Sequence, residues 1–194
     1  MSVNRFKWVP ILVAVLSLTA PGSASAGGVN HVVQVSAGAG SSTAIRSDVQ
    51  WAPFGGPSAT SANIASATSS DCTGCRAVAV AFQAVVLTGD PNVVAPSNAA
   101  AAVNGGCTGC DTFAFAYQDV VMTSGPASLS PAGVAALQSV EQRADAIANS
   151  GEPDGQMESD LRALAVEFRA DFESNLVLHG PATTSDRVDV QTAG

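Results

Sequence analysis

The chain has 194 residues with 46% hydrophobic and only 12% charged residues, which is room for one ordinary domain after processing. Its formal net charge is −8; without Arg5 and Lys7 it has six arginines, no lysine and sixteen acids, a net charge of −10. Such a surface repels phosphate backbones and anionic membranes, which argues against nucleic-acid and membrane-surface partners.

The N-terminus follows the secretory pattern. Arg5 and Lys7 precede the apolar run WVPILVAVLSLTA, then Pro21-Gly22, then the small-x-small signature Ala24-Ser25-Ala26. The apolar run falls short of the about 20 residues a bilayer requires, so residues 1–26 read as a cleaved signal peptide rather than an anchor. Localisation is therefore expected to be secreted, outside the cell, with no membrane insertion after signal removal.

Two apolar alternating stretches follow, VNHVVQVSAG from Val29 and STAIRSDVQWA from Ser42, which read as one or two strands. PFGGPSATS from Pro53 reads as a connector. Then the chain repeats itself without a gap at an offset of 35. Asn63 falls on Asn98, Cys72-Thr73-Gly74-Cys75 on Cys107-Thr108-Gly109-Cys110, Gln83 on Gln118, Val85-Val86 on Val120-Val121 and Pro91 on Pro126. The units span 63–91 and 98–126. Each reads as a short Ala-rich stretch, a CTGC turn and a strand. In the second unit, Ser97 or Asn98 as N-cap, alanines 99–102 and Gly105-Gly106 as a stop spell a short helix. In the strands, Val78, Val80 and Phe82 alternate with Ala79, Ala81 and Gln83, and Phe113, Phe115 and Tyr117 with Ala114, Ala116 and Gln118. Large residues on one face and alanines on the other predict a sheet covered on both sides.

Beyond Pro126, Ser130-Pro131 starts a helix whose Val134, Leu137, Val140, Ala144 and Ile147 share one face until Gly151. A second helix from Asp154 keeps Met157, Leu161, Leu164, Phe168, Phe172 and Leu176 in line. Residues 179–194 carry little to bury and read as a disordered tail. The expected fold class is thus a single α+β domain over 27–178: a small sheet built around two duplicated helix–CxxC turn–strand units, covered by two C-terminal amphipathic helices.

The four cysteines admit structural, metal and redox readings. Two Cys-x-x-Cys pairs fit tetrathiolate zinc, but Arg76 and Asp111 replace the glycine usual after zinc-knuckle pairs. Redox catalysis needs the pair at a helix start, whereas here each pair opens a strand. As disulfides, local Cys72–Cys75 and Cys107–Cys110 loops are worth about 2 kcal/mol each, and cross-bridges closing about 36 residues nearly 4 kcal/mol. Duplication favours the local pairs, because one ancestral unit had only its own partner; cross-bridges stay open.

The stretch from Asn63 to Thr123 resembles uncharacterised secreted proteins and domains of actinobacteria. They carry an Asn-Ala-rich segment, Cys-x-x-Cys and an alternating strand ending Gln-x-Val-Val, usually twice. The resemblance implies secretion and a small α+β domain but no activity. Similar segments occur in extracytoplasmic parts of membrane zinc peptidases, whose His-Glu-x-x-His motif is missing from this sequence.

Catalytic signals are sparse. His31 and His179 are the two histidines, and neither Gly-x-Ser-x-Gly nor a phosphate-binding loop occurs. His31 reads as a strand residue at the protein edge. Gln83 and Gln118, repeated inside apolar strands, read as an amide pair between strands or as ligand-binding groups. The expectation is a secreted, non-enzymatic structural or interaction protein with no cofactor and a protein or cell-envelope partner. The alternative is a thiol-redox or zinc-binding protein using Cys72, Cys75, Cys107 and Cys110.

Overall fold

The computed structural model describes residues 27–89 and 91–194; the expected signal peptide lies outside the described residues. Three strand pairs follow one another: β1 (Gly27–Ala37) and β2 (Thr43–Gly55), β3 (Ser58–Ser70) and β4 (Arg76–Thr88), β5 (Val93–Gly105) and β6 (Asp111–Thr123). The first strand of each pair joins a parallel sheet β1-β3-β5, and the second a parallel sheet β2-β4-β6. The chain therefore winds as three flat coils stacked into a short β-solenoid. Short β7 (Ala127–Leu129) pairs with β8 (Leu176–Leu178), flanking α1 (Pro131–Ala148) and α2 (Asp154–Asn175). The last strand, β9 (Ala182–Ala193), runs antiparallel along β6.

This overturns the expected fold class. Among the described residues strand makes up 58% and helix 24%, with nine strands in three sheets and two helices. The Ala-rich stretches before the CTGC turns are not helices but β3 and β5. Alanine favours helix by only a fraction of a kcal/mol per residue, and seven residues cannot sustain a helix alone. Pairing with a neighbour thirteen residues long outweighs that preference, and only alanine-sized side chains fit what the strand faces.

Register accounts for the 35-residue offset. Asn63 lies beside Asn98, Gln83 beside Gln118 and Arg76 beside Asp111. The first coil joins at offsets of 32 and 33, placing His31 beside Asn63 and Gln50 beside Gln83.

The alternation in β4 and β6 serves two different cores. Their alanine faces, Ala77, Ala79, Ala81, Ala114 and Ala116, meet Ala65, Ala67, Ala100 and Val33 of the facing sheet. Apart from Val33 and the two cysteines at the corner, the buried apolar side chains there are alanines, so the two sheets approach closely. On the other face Val78, Val80, Phe82, Phe113, Phe115 and Tyr117 pack against Leu137, Val140, Met157, Leu161, Leu164, Phe168 and Phe172 of the helices. Phe82 sits 5.5 Å from both Phe115 and Phe168, and Tyr117 meets Phe168 edge-on at 5.6 Å. Ring pairs in these tilted arrangements add about 0.5–1.5 kcal/mol each beyond their buried area. Ser130 caps α1 by accepting from the Gly133 N–H. The buried stripe of α1 runs through Gly133, Leu137, Val140, Ala144 and Ala148, leaving Val134 exposed. No described helix is long and apolar enough to cross a membrane.

The tail expected to be disordered is β9, and it closes the stack. Its backbone completes the sheet of β6, while its side chains reach the free edge of β5. Asp189 Oδ2 accepts from the Ala100 N–H at 2.8 Å, Gln191 Oε1 from the Ala102 N–H at 3.3 Å, and Arg187 donates to the Pro96 carbonyl at 2.9 Å. Polar residues that looked unburiable are thus partners for an edge that would otherwise leave N–H groups open.

Candidate functional site

Chemistry-bearing side chains gather in three places. The first is the corner between the sheets where both CTGC turns lie. The turns continue the parallel ladder: Thr73 bridges Thr108, Gly74 N donates to Thr108 O, Thr108 N to Cys72 O and Asp111 N to Cys75 O, all between 2.8 and 3.1 Å. Gly74 and Gly109 take φ of +65° and +61°, which glycine adopts without the clash a Cβ brings. Each turn closes a local disulfide, Cys72–Cys75 and Cys107–Cys110, with Cα separations of 6.1 and 5.9 Å. The two bridges stack on each other. Cys72 Sγ lies 3.3 Å from Cys107 Sγ and 3.8 Å from Cys110 Sγ. Cys75 and Cys110 are buried at the rim of the alanine interior. Among the described residues, Cys72, Cys75 and Cys110 are the one group whose ligand atoms all lie within 4.8 Å.

The second place is the polar ladder inside the stack. Gln118 Nε2 donates to Gln83 Oε1 at 2.7 Å, and Gln83 Nε2 donates to Gln50 Oε1 at 3.2 Å. A parallel row runs through His31, Asn63 and Asn98. Asn63 Nδ2 donates to Asn98 Oδ1 at 2.8 Å, to Tyr117 O at 2.9 Å and to Ala81 O at 3.2 Å. That fixes Asn63 Oδ1 as the acceptor for His31 Nδ1 at 2.9 Å, while His31 Nε2 lies 3.2 Å from Asp48 Oδ2. The alanine interior is thin enough for an amide on one sheet to reach backbone carbonyls of the other. Gln83 and Gln118 face each other within this ladder, with Gln118 also 3.3 Å from Ser61 Oγ.

The third place is Asp119, which is wholly buried with neither carboxylate oxygen hydrogen-bonded, beneath the Arg169 ion pairs with Glu173 and Asp186. Burial, then the charge of Glu173, pushes its carboxyl up to about 7, against the pull of Arg169. Tyr117 next to it also has a buried, unpartnered hydroxyl, raised far above its ordinary value first by burial and then by Asp119.

Sequence reasoning named the four cysteines and the two glutamines, and the fold brings each set together. It missed Gln50, Asp48 and Asp119. The first-coil offset of 33 would have found Gln50; Asp119 carries no local signal, since its burial comes from α2 and β9. His179 follows β8 directly, its backbone N–H donating to Pro126 O. No protein-family model, no curated protein and no solved structure matched the chain.

Proposed function

We propose that the chain is an exported, non-enzymatic structural or interaction module whose two disulfides brace a short β-solenoid. The observation that carries this reading is the stacking of two local disulfides at one corner, each clamping the turn that hands the chain from one sheet to the other. Bridges of this kind persist where the surroundings oxidise thiols, which supports export. Their position supports a scaffold role rather than thiol exchange. Each pair opens a strand, with no helix N-terminus to lower a thiol pKa. The ladder amides of Gln83 and Gln118 are engaged with each other, which favours a structural role for them too. The interaction half of the reading rests on the outer face of β1-β3-β5. No described element covers it, and Val32 and Val103 stand about half exposed there.

Mass mapping of the protein recovered from its producing cells tests the reading. Arg76 lies between the motifs, so trypsin separates 47–76 from 77–143. The expected result is two unlinked peptides from the culture medium, each two hydrogens lighter than its reduced form. Recovery from the cytoplasm with free thiols, or turnover of a dithiol substrate by the purified protein, overturns it.

A further inference from the structure

The sulfur cluster is built by two coils at once, and this has a chemical consequence that neither motif carries alone. The parallel backbone ladder through the turns holds Cys72, Cys75, Cys107 and Cys110 in one corner, and none of its hydrogen bonds involves sulfur. Cutting the S–S bonds therefore removes two covalent links without removing what positions the thiols.

Tetrahedral zinc with four thiolates has Zn–S distances of about 2.3 Å, which sets sulfurs about 3.8 Å apart along each edge. Cys72 Sγ already stands 3.8 Å from Cys110 Sγ and 3.3 Å from Cys107 Sγ across the coil boundary. The edges within each pair, now covalent, open by side-chain rotation once the bond is gone. Cys75 and Cys110 are 1% and 5% exposed, against the alanine interior, whereas Cys72 and Cys107 are half-buried and give an ion its way in. The sulfurs that already lie within 4.8 Å of one another are those of Cys72, Cys75 and Cys110, and Cys107, 3.3 Å from Cys72, completes the set by side-chain rotation once its bond is cut. No carboxylate or imidazole belongs to that group, so its donors are soft and select Zn²⁺ over Mg²⁺ or Ca²⁺.

We infer that the reduced protein holds one soft divalent cation, Zn²⁺ in the first instance, in a tetrathiolate site shared by the second and third coils. Disulfide and metal forms exclude each other. A phosphine delivers two electrons to each bridge and leaves as the phosphine oxide, with the oxygen and the two thiol protons coming from one water; a dithiol supplies both electrons and both protons as it closes to its own disulfide. The four resulting thiols then release four protons as they bind the ion. The inference does not rest on the scaffold reading above: the oxidised peptides of that test are the same whether or not the reduced protein binds metal.

The test takes the folded, oxidised protein, reduces it anaerobically with a phosphine, removes the reductant and titrates Co²⁺ and then Zn²⁺. The expected result is one Co²⁺ per chain with the absorption of tetrahedral four-thiolate coordination, displaced by Zn²⁺, with all four cysteines then protected from alkylation. Cys72→Ser and Cys110→Ser, one from each coil, should each weaken Zn²⁺ binding by at least about tenfold. Circular dichroism before cobalt addition reports whether the strands survive reduction. Two ions per chain, fewer than four thiolates per ion, or no binding by a chain with four free thiols overturns the inference. So does a strand signal lost on reduction, since the site requires the standing ladder.

Discussion

Asp119→Asn changes one atom type at a carboxyl whose ionisation the fold opposes. Asp119 is fully buried, both its oxygens lack partners, and its carboxyl is raised from 3.8 to about 7, first by burial and next by the charge of Glu173. The native state thus keeps a proton that the unfolded chain releases near pH 4. Below pH 4 both states are protonated and ionisation adds no penalty. Between pH 4 and 7 the unfolded state binds fewer protons, so stability falls as pH rises, by up to about 1.4 kcal/mol per pH unit. Above pH 7 both states are ionised and the loss levels off. Over roughly three units the penalty reaches about 4 kcal/mol. Asparagine has the same shape and no charge, but it buries an amide donor in need of a partner, returning about 1–3 kcal/mol. Asp119→Asn should therefore be less stable than wild type at pH 4 and draw level with it or overtake it by pH 8. Urea unfolding with the disulfides intact, at half-unit steps of pH, gives the difference directly, and titrations common to both proteins cancel in it. Parallel stability curves for the two proteins between pH 4 and 7 would refute the reasoning.

Four further perturbations probe the rest of the molecule. Asn63→Leu strips partners from His31 Nδ1, Asn98 Oδ1 and Tyr117 O inside the stack; with each orphaned group costing about 1–3 kcal/mol, a loss of several kcal/mol is expected in urea unfolding. Ala81→Leu puts three extra carbons into the closely packed alanine interior and should destabilise by about 1–3 kcal/mol or more. Phe168→Ala empties the ring position between Phe82, Tyr117 and Phe172 and should cost about 3–5 kcal/mol, read as a lowered denaturation midpoint. Deleting 181–194 removes β9, baring β6 and the N–H groups of β5; size-exclusion chromatography should then show oligomers or aggregate.

How much of this was legible in the sequence depends on which face of a strand is considered. The β4 and β6 alternation was plain because Phe82, Phe115 and Tyr117 are large, apolar and spaced by two, and the helices were plain because Leu161, Leu164, Phe168 and Phe172 repeat at helical spacing. β3 and β5 were hidden. Their inward residues are Ser61, Asn63, Ala65 and Ala67, then Asn98, Ala100 and Ala102, small or polar because the facing sheet lies too near for anything larger. Local propensity reads such a segment as helix or loop, and the signal that corrects it is the partner 35 residues away. The same blindness hid β9, where Arg187, Asp189 and Gln191 look solvated until their acceptors and donors on β5 are seen. Of the candidate site, duplication favoured the cysteine pairing within each motif but left cross-bridges open, while the stacking of the two motifs required the parallel register.

The two ends of the stack solve the open-edge problem differently, and the difference explains why the polar ladder starts where it does. At the far end β9 supplies a full antiparallel strand. At the near end β1 and β2 have no strand beyond them among the described residues, and the positions equivalent to Ala79 and Ala81 are Arg46 and Asp48. An incoming strand would have to bury those charges, a cost that keeps edges from pairing with stray chains. Asp48 is held by Arg46 at 3.8 Å and by His31 at 3.2 Å, and His31 passes the connection to Asn63 and Asn98. The row of amides thus links the charged entrance coil to the Asn98 contact with the Arg187 carbonyl of the closing strand. One hydrogen-bonded line ties both caps across coils whose methyl-sized interior gives little hydrophobic stabilisation of its own.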